Sequence, residues 1–113
     1  MPCRAVYYRL PGGRLPVREF LDSLRDVKQR AAIAADLALL EEEGPVLPFP
    51  WTSAITSYRG LTELRTRVGG AQFRILYTIA GDEVVLLHAF QKTASTQSKH
   101  EYQLATDRAR SVR

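Results

Sequence analysis

The feature that most limits what this chain can become is a stretch of thirty residues in its second half. Leu61–Val68, Ala71–Ile79 and Glu83–Phe90 are three runs rich in β-branched and apolar residues, separated only by Gly69-Gly70 and Ala80-Gly81-Asp82. Glycine pairs and Gly-Asp steps between such runs mark tight hairpins, whose central residues need positive φ. An antiparallel meander is therefore expected. A two-residue turn at Gly69-Gly70 sets Val68, Thr66, Leu64 and Thr62 opposite Ala71, Phe73, Ile75 and Tyr77 on one apolar side. The other side then carries Glu63 across from Leu76, Arg65 across from Arg74 and Arg67 across from Gln72. The third strand has two readings. A two- or four-residue turn around Gly81-Asp82 puts His88 and Phe90 on the apolar side, whereas a three-residue turn puts His88 across from Arg74 and brings Lys92 toward the arginines.

The first half supplies the rest of an α+β fold. Arg4–Leu10 reads as a strand closed by Pro11-Gly12-Gly13. Pro16 suits a first helical position, and Val17, Phe20, Leu21 and Leu24 follow at helical spacing, which predicts a helix over 16–25. A longer helix is expected over 26–43, with Ile33, Leu37 and Leu40 on one face beside Ala34 and Ala38, and with Gly44-Pro45 as its stop. Alanines on the packing side favour an antiparallel helix pair. Glu41-Glu42-Glu43 fall at the negative helix end and are expected to be a solvated, frayed terminus. Pro45, Pro48 and Pro50 make 45–60 a connecting loop. Phe49 and Trp51 are expected to pin it to the domain, because nothing basic interleaves with them. Lys99–Arg110 is expected as a frayed C-terminal helix. The sum is one domain over 1–113, ordered β-α-α-β-β-β, with a two-helix hairpin packed on an antiparallel sheet.

Composition narrows the function. A single cysteine, Cys3, and two histidines, His88 and His100, offer neither an internal disulfide nor a metal-binding Cys/His cluster. No run approaches the roughly 18 apolar residues of a membrane span, nor is there a signal-peptide pattern at Met1-Pro2-Cys3-Arg4, so a cytoplasmic protein is expected. Residues 1–58 hold seven basic and seven acidic side chains, whereas residues 59–113 hold nine and five. All the excess positive charge lies with the meander, as a polyanion-binding surface requires. Arg65 and Arg74 facing each other across a strand pair are destabilising unless used, and arginines on rigid strands suit bidentate phosphate contacts.

The ordered set Gly60-Leu61-Thr62-Glu63-Leu64-Arg65, Arg74-Ile75-Leu76-Tyr77 and Leu86-Leu87-His88-Ala89-Phe90-Gln91-Lys92-Thr93, behind Tyr7-Tyr8 and Pro16-Val17-Arg18-Glu19-Phe20-Leu21, closely resembles the RelE/ParE toxin superfamily. The HigB-like, phage-derived branch is the best match. The resemblance implies a RelE-like fold and a type II toxin that enters the ribosomal A site and cuts translated messenger RNA. It implies the ribosome, mRNA and a co-encoded helix-turn-helix antitoxin as partners, with no membrane and no cofactor. By resemblance Arg65, Arg74 and Lys92 are catalytic, with His88 or Tyr102 handling protons, and Arg67, Arg59 and Lys99 bind RNA.

Metal-free RNA cleavage needs a base for the 2′-hydroxyl proton, cationic donors for the phosphorane and an acid for the leaving 5′-oxygen. Arg65, Arg67, Arg74 and Lys92 can supply the donors, and Glu63, His88, His100, Tyr77 and Tyr102 have chemistry suited to the protons. The chain departs from the family pattern at Thr52-Ser53-Ala54-Ile55-Thr56, neutral where relatives often bear lysine, and at Gln91, which replaces a commonly basic residue. A weak or ribosome-specific enzyme is expected, since affinity tracks phosphate contacts. The other readings are a ParE-like gyrase poison, which would not need the arginine patch, and an RNA- or protein-binding module. On the catalytic reading, Arg74→Ala is expected to abolish growth inhibition without unfolding the protein.

Overall fold

The computed structural model describes residues 2–112. Its elements are β1 (Arg4–Tyr7), α1 (Pro16–Ser23), α2 (Val27–Glu43), a 3-10 turn (Gly44–Val46), β2 (Thr52–Ala54), β3 (Thr62–Val68), β4 (Ala71–Ala80), β5 (Glu83–Lys92) and α3 (Ser98–Arg110). Gly69 and Gly81 take φ of 59° and 62° at the two hairpin turns, the left-handed backbone that side chains with a Cβ resist. The β3–β4 register is the expected one throughout, from Val68 opposite Ala71 to Thr62 opposite Tyr77.

The sheet runs β1-β5-β4-β3-β2 and is mixed, not purely antiparallel. β1 lies parallel to β5, with Arg4 beside Glu83 and Tyr7 beside Leu86: the two helices cross one face and deliver the chain to β2 at the far edge, from which the antiparallel strands step back until β5 lies beside β1. The ladder continues through Tyr8, whose N–H donates to the Leu86 carbonyl. Beyond it the chain turns early: Gly13 N–H donates to Leu10 O and Leu10 N–H to Arg14 O. Within the expected 45–60 loop, β2 pairs antiparallel with β3 as an edge strand, and Pro48 and Pro50, which have no N–H for a ladder, stop just short of it.

α1 ends at Ser23, two residues before expectation, because Leu24 adopts extended backbone (ψ 121°) and lets Asp26 cap α2 by accepting from Lys28 N–H at 2.8 Å. Both helices lie on the same sheet face, α1 mainly over β5 and α2 mainly over β3, so the sheet is the chief packing partner of each. Ala34 and Ala38 are exposed, not at a helix pair. Val17, Ile33 and Leu40 meet Leu64, Phe73, Ile75, Tyr77, Val84 and Leu86 in the larger core. The end of α2 is fixed, not frayed: Glu41 Oε2 accepts from Ala5 N–H at 2.9 Å, and its carbonyl accepts from Cys3 N–H at 2.8 Å.

The opposite face is not the open polar surface expected. α3, ordered over thirteen residues, roofs much of it and forms a second core in which Ala105 and Ala109 meet Leu61, Leu76, Val85, Leu87 and Phe90. Leu76 and Leu87, both at 0% exposure, each contribute about 2 kcal/mol of burial that an uncovered face would forgo. Phe49 and Trp51, expected to pin the loop, instead leave 69% and 41% of their surface in solvent. Among the described residues no helix is long and apolar enough to cross a membrane.

Candidate functional site

The third strand takes neither of the two expected registers alone. Ala80 pairs with Glu83 across a two-residue turn, but between Tyr77–Leu86 and Leu76–His88 the register shifts by one, leaving Leu87 as an extra residue. A bulge of this kind exchanges the faces of everything beyond it. His88, Phe90 and Lys92 therefore join the arginine side. Three rows run across β3, β4 and β5: Glu63-Leu76-His88, Arg65-Arg74-Phe90 and Arg67-Gln72-Lys92. Arg67 and Lys92 are exposed, and the Arg65 side chain keeps 29% of its surface. This uncovered end of the face is where a phosphate can be met by several cations at once.

Arg74 does not belong to that open end. It is 2% exposed, its Nη2 donates to Gln72 Oε1 at 3.1 Å, and its Nε lies 3.5 Å from Glu63 Oε1. Arg65 Nε lies 3.5 Å from the same oxygen. Glu63, 6% exposed, thus stands between two guanidiniums whose facing positions would otherwise repel. Burial lowers the Arg74 pKa from its ordinary value, opposed by the Glu63 carboxylate. The expectation that Arg74 stands on an open polar face is corrected: it is buried and ion-paired, and removing it would strip the buried Glu63 carboxylate of one of its two partners.

Tyr102 reaches this system from α3, its hydroxyl donating to Glu63 Oε2 at 3.3 Å. With Lys99, Glu63 and the 53–58 segment it lines an open cleft of about 630 Å3. Burial, then the Glu63 carboxylate, raises its pKa, so the phenol stays protonated at neutral pH. His88 is engaged at both ring nitrogens: Nε2 meets Glu101 Oε2, and Arg108 Nη1 lies 3.5 Å from Nδ1 while donating to Leu87 O at 2.7 Å. This pairing describes a neutral ring with its proton on Nε2. Burial lowers its pKa, against the pull of Glu101. His88 therefore serves the α3 contact. Arg59 lies apart, in a recess of about 290 Å3 with Thr106 and Arg110, beyond the β3 end opposite Arg67 and so about 17 Å of strand away.

Residues 19–110 match the family described as Phage derived protein Gp49-like (DUF891). The chain belongs to this Gp49-like family. The match runs from α1 to the end of α3 and takes in every element that builds the arginine face of this Gp49-like protein. Comparison with curated proteins gives no match. The residues whose placement the sequence did not disclose in the Gp49-like chain are Glu101 and Arg108, which lock His88, and Glu63 as a buried bridge. The Glu101–Arg108 spacing on one helix was the available signal, but only a docked α3 gives it a partner.

Proposed function

We propose that this Gp49-like protein is the toxin of a type II toxin–antitoxin pair and a ribosome-dependent, metal-independent endoribonuclease of the RelE/HigB kind. What carries the proposal is the open row, Arg67 and Lys92 on either side of the neutral Gln72, beside Arg65: three cations at the uncovered end of a face built from the rigid strands β3, β4 and β5. Their role is to bind the scissile phosphate and offset the charge that develops when the 2′-oxygen attacks phosphorus and the 5′-oxygen leaves; each well-aimed donor of this type contributes about 3 kcal/mol. Tyr102, protonated and held near Glu63, is in the form that can give a proton to the leaving 5′-oxygen of a phosphate held at Arg65, in the row next to Glu63, while the 2′-hydroxyl proton passes to solvent water. His88 has no chemical role in this scheme. The ribosomal A site, mRNA and a helix-turn-helix antitoxin are the partners that go with it.

Induction of the wild type and of Arg65→Ala/Lys92→Ala in a bacterial host, with primer extension on translated and untranslated copies of one message, tests the proposal. Cuts are expected only with the wild type and only in the translated copy. Growth arrest without cuts would refute it. That outcome would favour a second reading, a non-nucleolytic toxin that acts by binding, which draws support from the engagement of both His88 nitrogens away from the open row.

A further inference from the structure

Two large aromatic rings, Phe49 and Trp51, stand out of the surface just before β2. With Pro50, Arg65, Arg67 and Asp36 they line one open recess of about 530 Å3. The loop does not present them by being loose. Trp51 and Thr52 N–H groups donate to Pro48 O at 3.1 and 3.2 Å, and Arg65 N–H donates to Trp51 O at 2.8 Å. The Thr52 hydroxyl donates to Leu47 O. The Arg65 guanidinium carbon lies 5.6 Å from the Phe49 ring centre, so cation and ring already share the site. Asp36, the acidic member of the lining, is turned to other use, accepting from the Thr66 hydroxyl at 2.7 Å.

Rings held open to water beside guanidiniums make a surface that is apolar on its faces and cationic at its edge. A single-stranded nucleic acid has the complementary make-up: a flat base to stack and a phosphate on either side of it. A protein segment of apolar character would have to desolvate Arg65 and Arg67 without offering them anions. We infer that Phe49 and Trp51 form a stacking platform for an unpaired base of single-stranded RNA, with Arg65 and Arg67 holding the adjoining phosphates. The inference rests on the proposed RNA-directed function and adds a base-binding subsite to it. From the platform, Arg65 and Arg67 lead directly to Lys92 across β4, so one strand of RNA can engage the recess and the open row together.

Trp51 is the sole tryptophan of the chain, so its fluorescence reads this recess. The test titrates the full-length protein with a short 2′-O-methyl oligoadenylate, which cannot be cleaved, and with an abasic oligomer of the same phosphate count. Saturable quenching by the oligoadenylate is expected, with binding of the abasic oligomer at least about fivefold weaker. Phe49→Ala and Phe49→Leu are expected to weaken oligoadenylate binding by roughly five- to a hundredfold, to leave abasic binding unchanged, and to unfold at the wild-type denaturant midpoint. Absence of quenching, equal binding of the two oligomers, or wild-type affinity in both variants would overturn the platform. Cleavage mapping is independent of this readout. Base-dependent quenching without cuts would support the platform and remove the nuclease, and cuts without quenching would do the reverse.

Discussion

Glu63 holds Arg74 inside the protein: Oε1 of the one lies 3.5 Å from Nε of the other, with both residues nearly sealed from solvent. A buried pair of this kind matters most when it is broken, because the surviving charge loses its partner without regaining water. Arg65 still faces Glu63, so Arg74→Ala is expected to cost about 3 kcal/mol, toward the lower end of such losses. Urea denaturation of Arg74→Ala, Glu63→Leu and the Glu63→Leu/Arg74→Met double variant checks this, with the double variant expected to be more stable than the Arg74 single variant. A single variant as stable as the wild type would show that Arg74 is solvated and available to substrate.

The second core makes α3 an integral part of the fold. Ala105 is fully buried against the sheet face that also holds Leu76 and Leu87. Ala105→Leu has no room for three more carbons and is expected to destabilise the protein by about 1–3 kcal/mol, read as a fall in the urea midpoint at unchanged slope. An unchanged midpoint would mean that α3 can lift from the sheet.

The hairpin turn at Gly69-Gly70 and the alternation on either side were enough to place each residue of β3 opposite its β4 partner, because turn chemistry and side-chain period act within a few residues of one another. What decides the site acts at longer range. The Leu87 bulge has no mark in Glu83–Lys92, a run apolar enough to fit either face, yet it alone moves His88 and Lys92 to the arginine side. α3 buries two alanines and part of a tyrosine, so its packing face shows no leucine stripe. Phe49 and Trp51 looked like core anchors with no basic neighbour in sequence, and β2–β3 pairing is what brings Arg65 to them.

The His88 contact with α3 carries a pH dependence whose sign follows from its pKa. Burial holds the imidazole below its ordinary 6.5, with Arg108 and His100 acting in the same direction and Glu101 opposing them. The folded state therefore binds the proton more weakly than the unfolded state. Stability from this group is complete above pH 6.5 and is lost as pH falls below it, by at most about 1.4 kcal/mol per pH unit. Thermal unfolding followed between about pH 7 and pH 5 should show a shallower decline for His88→Gln than for the wild type. A steeper decline in the variant would reverse the assigned sign.

Tyr102 separates a chemical role from a packing role. Its hydroxyl makes a 3.3 Å bond to Glu63 at the edge of an open cleft, so Tyr102→Phe is expected to cost under about 1 kcal/mol of stability. If the phenol protonates the leaving 5′-oxygen, the same change should slow cleavage about a hundredfold in a reconstituted translation reaction under single-turnover conditions. Wild-type cutting by a folded Tyr102→Phe protein would take the proton-donor role away from this residue.

The open row makes the sharpest electrostatic forecast, because Arg67 and Lys92 are exposed and no ion pair joins either of them to a carboxylate among the described residues. Each phosphate contact on a single strand contributes about 0.7 to the slope of log affinity against log salt. Arg67→Ala and Lys92→Ala should each reduce that slope by about 0.7, and together by about 1.4, with unchanged urea midpoints. Fluorescence anisotropy of a labelled, uncleavable oligoribonucleotide across a salt series measures it. A double variant with the wild-type slope would place the RNA backbone elsewhere on the protein, and the Arg59 recess at the far end of β3 would then be the next surface to test by the same slope.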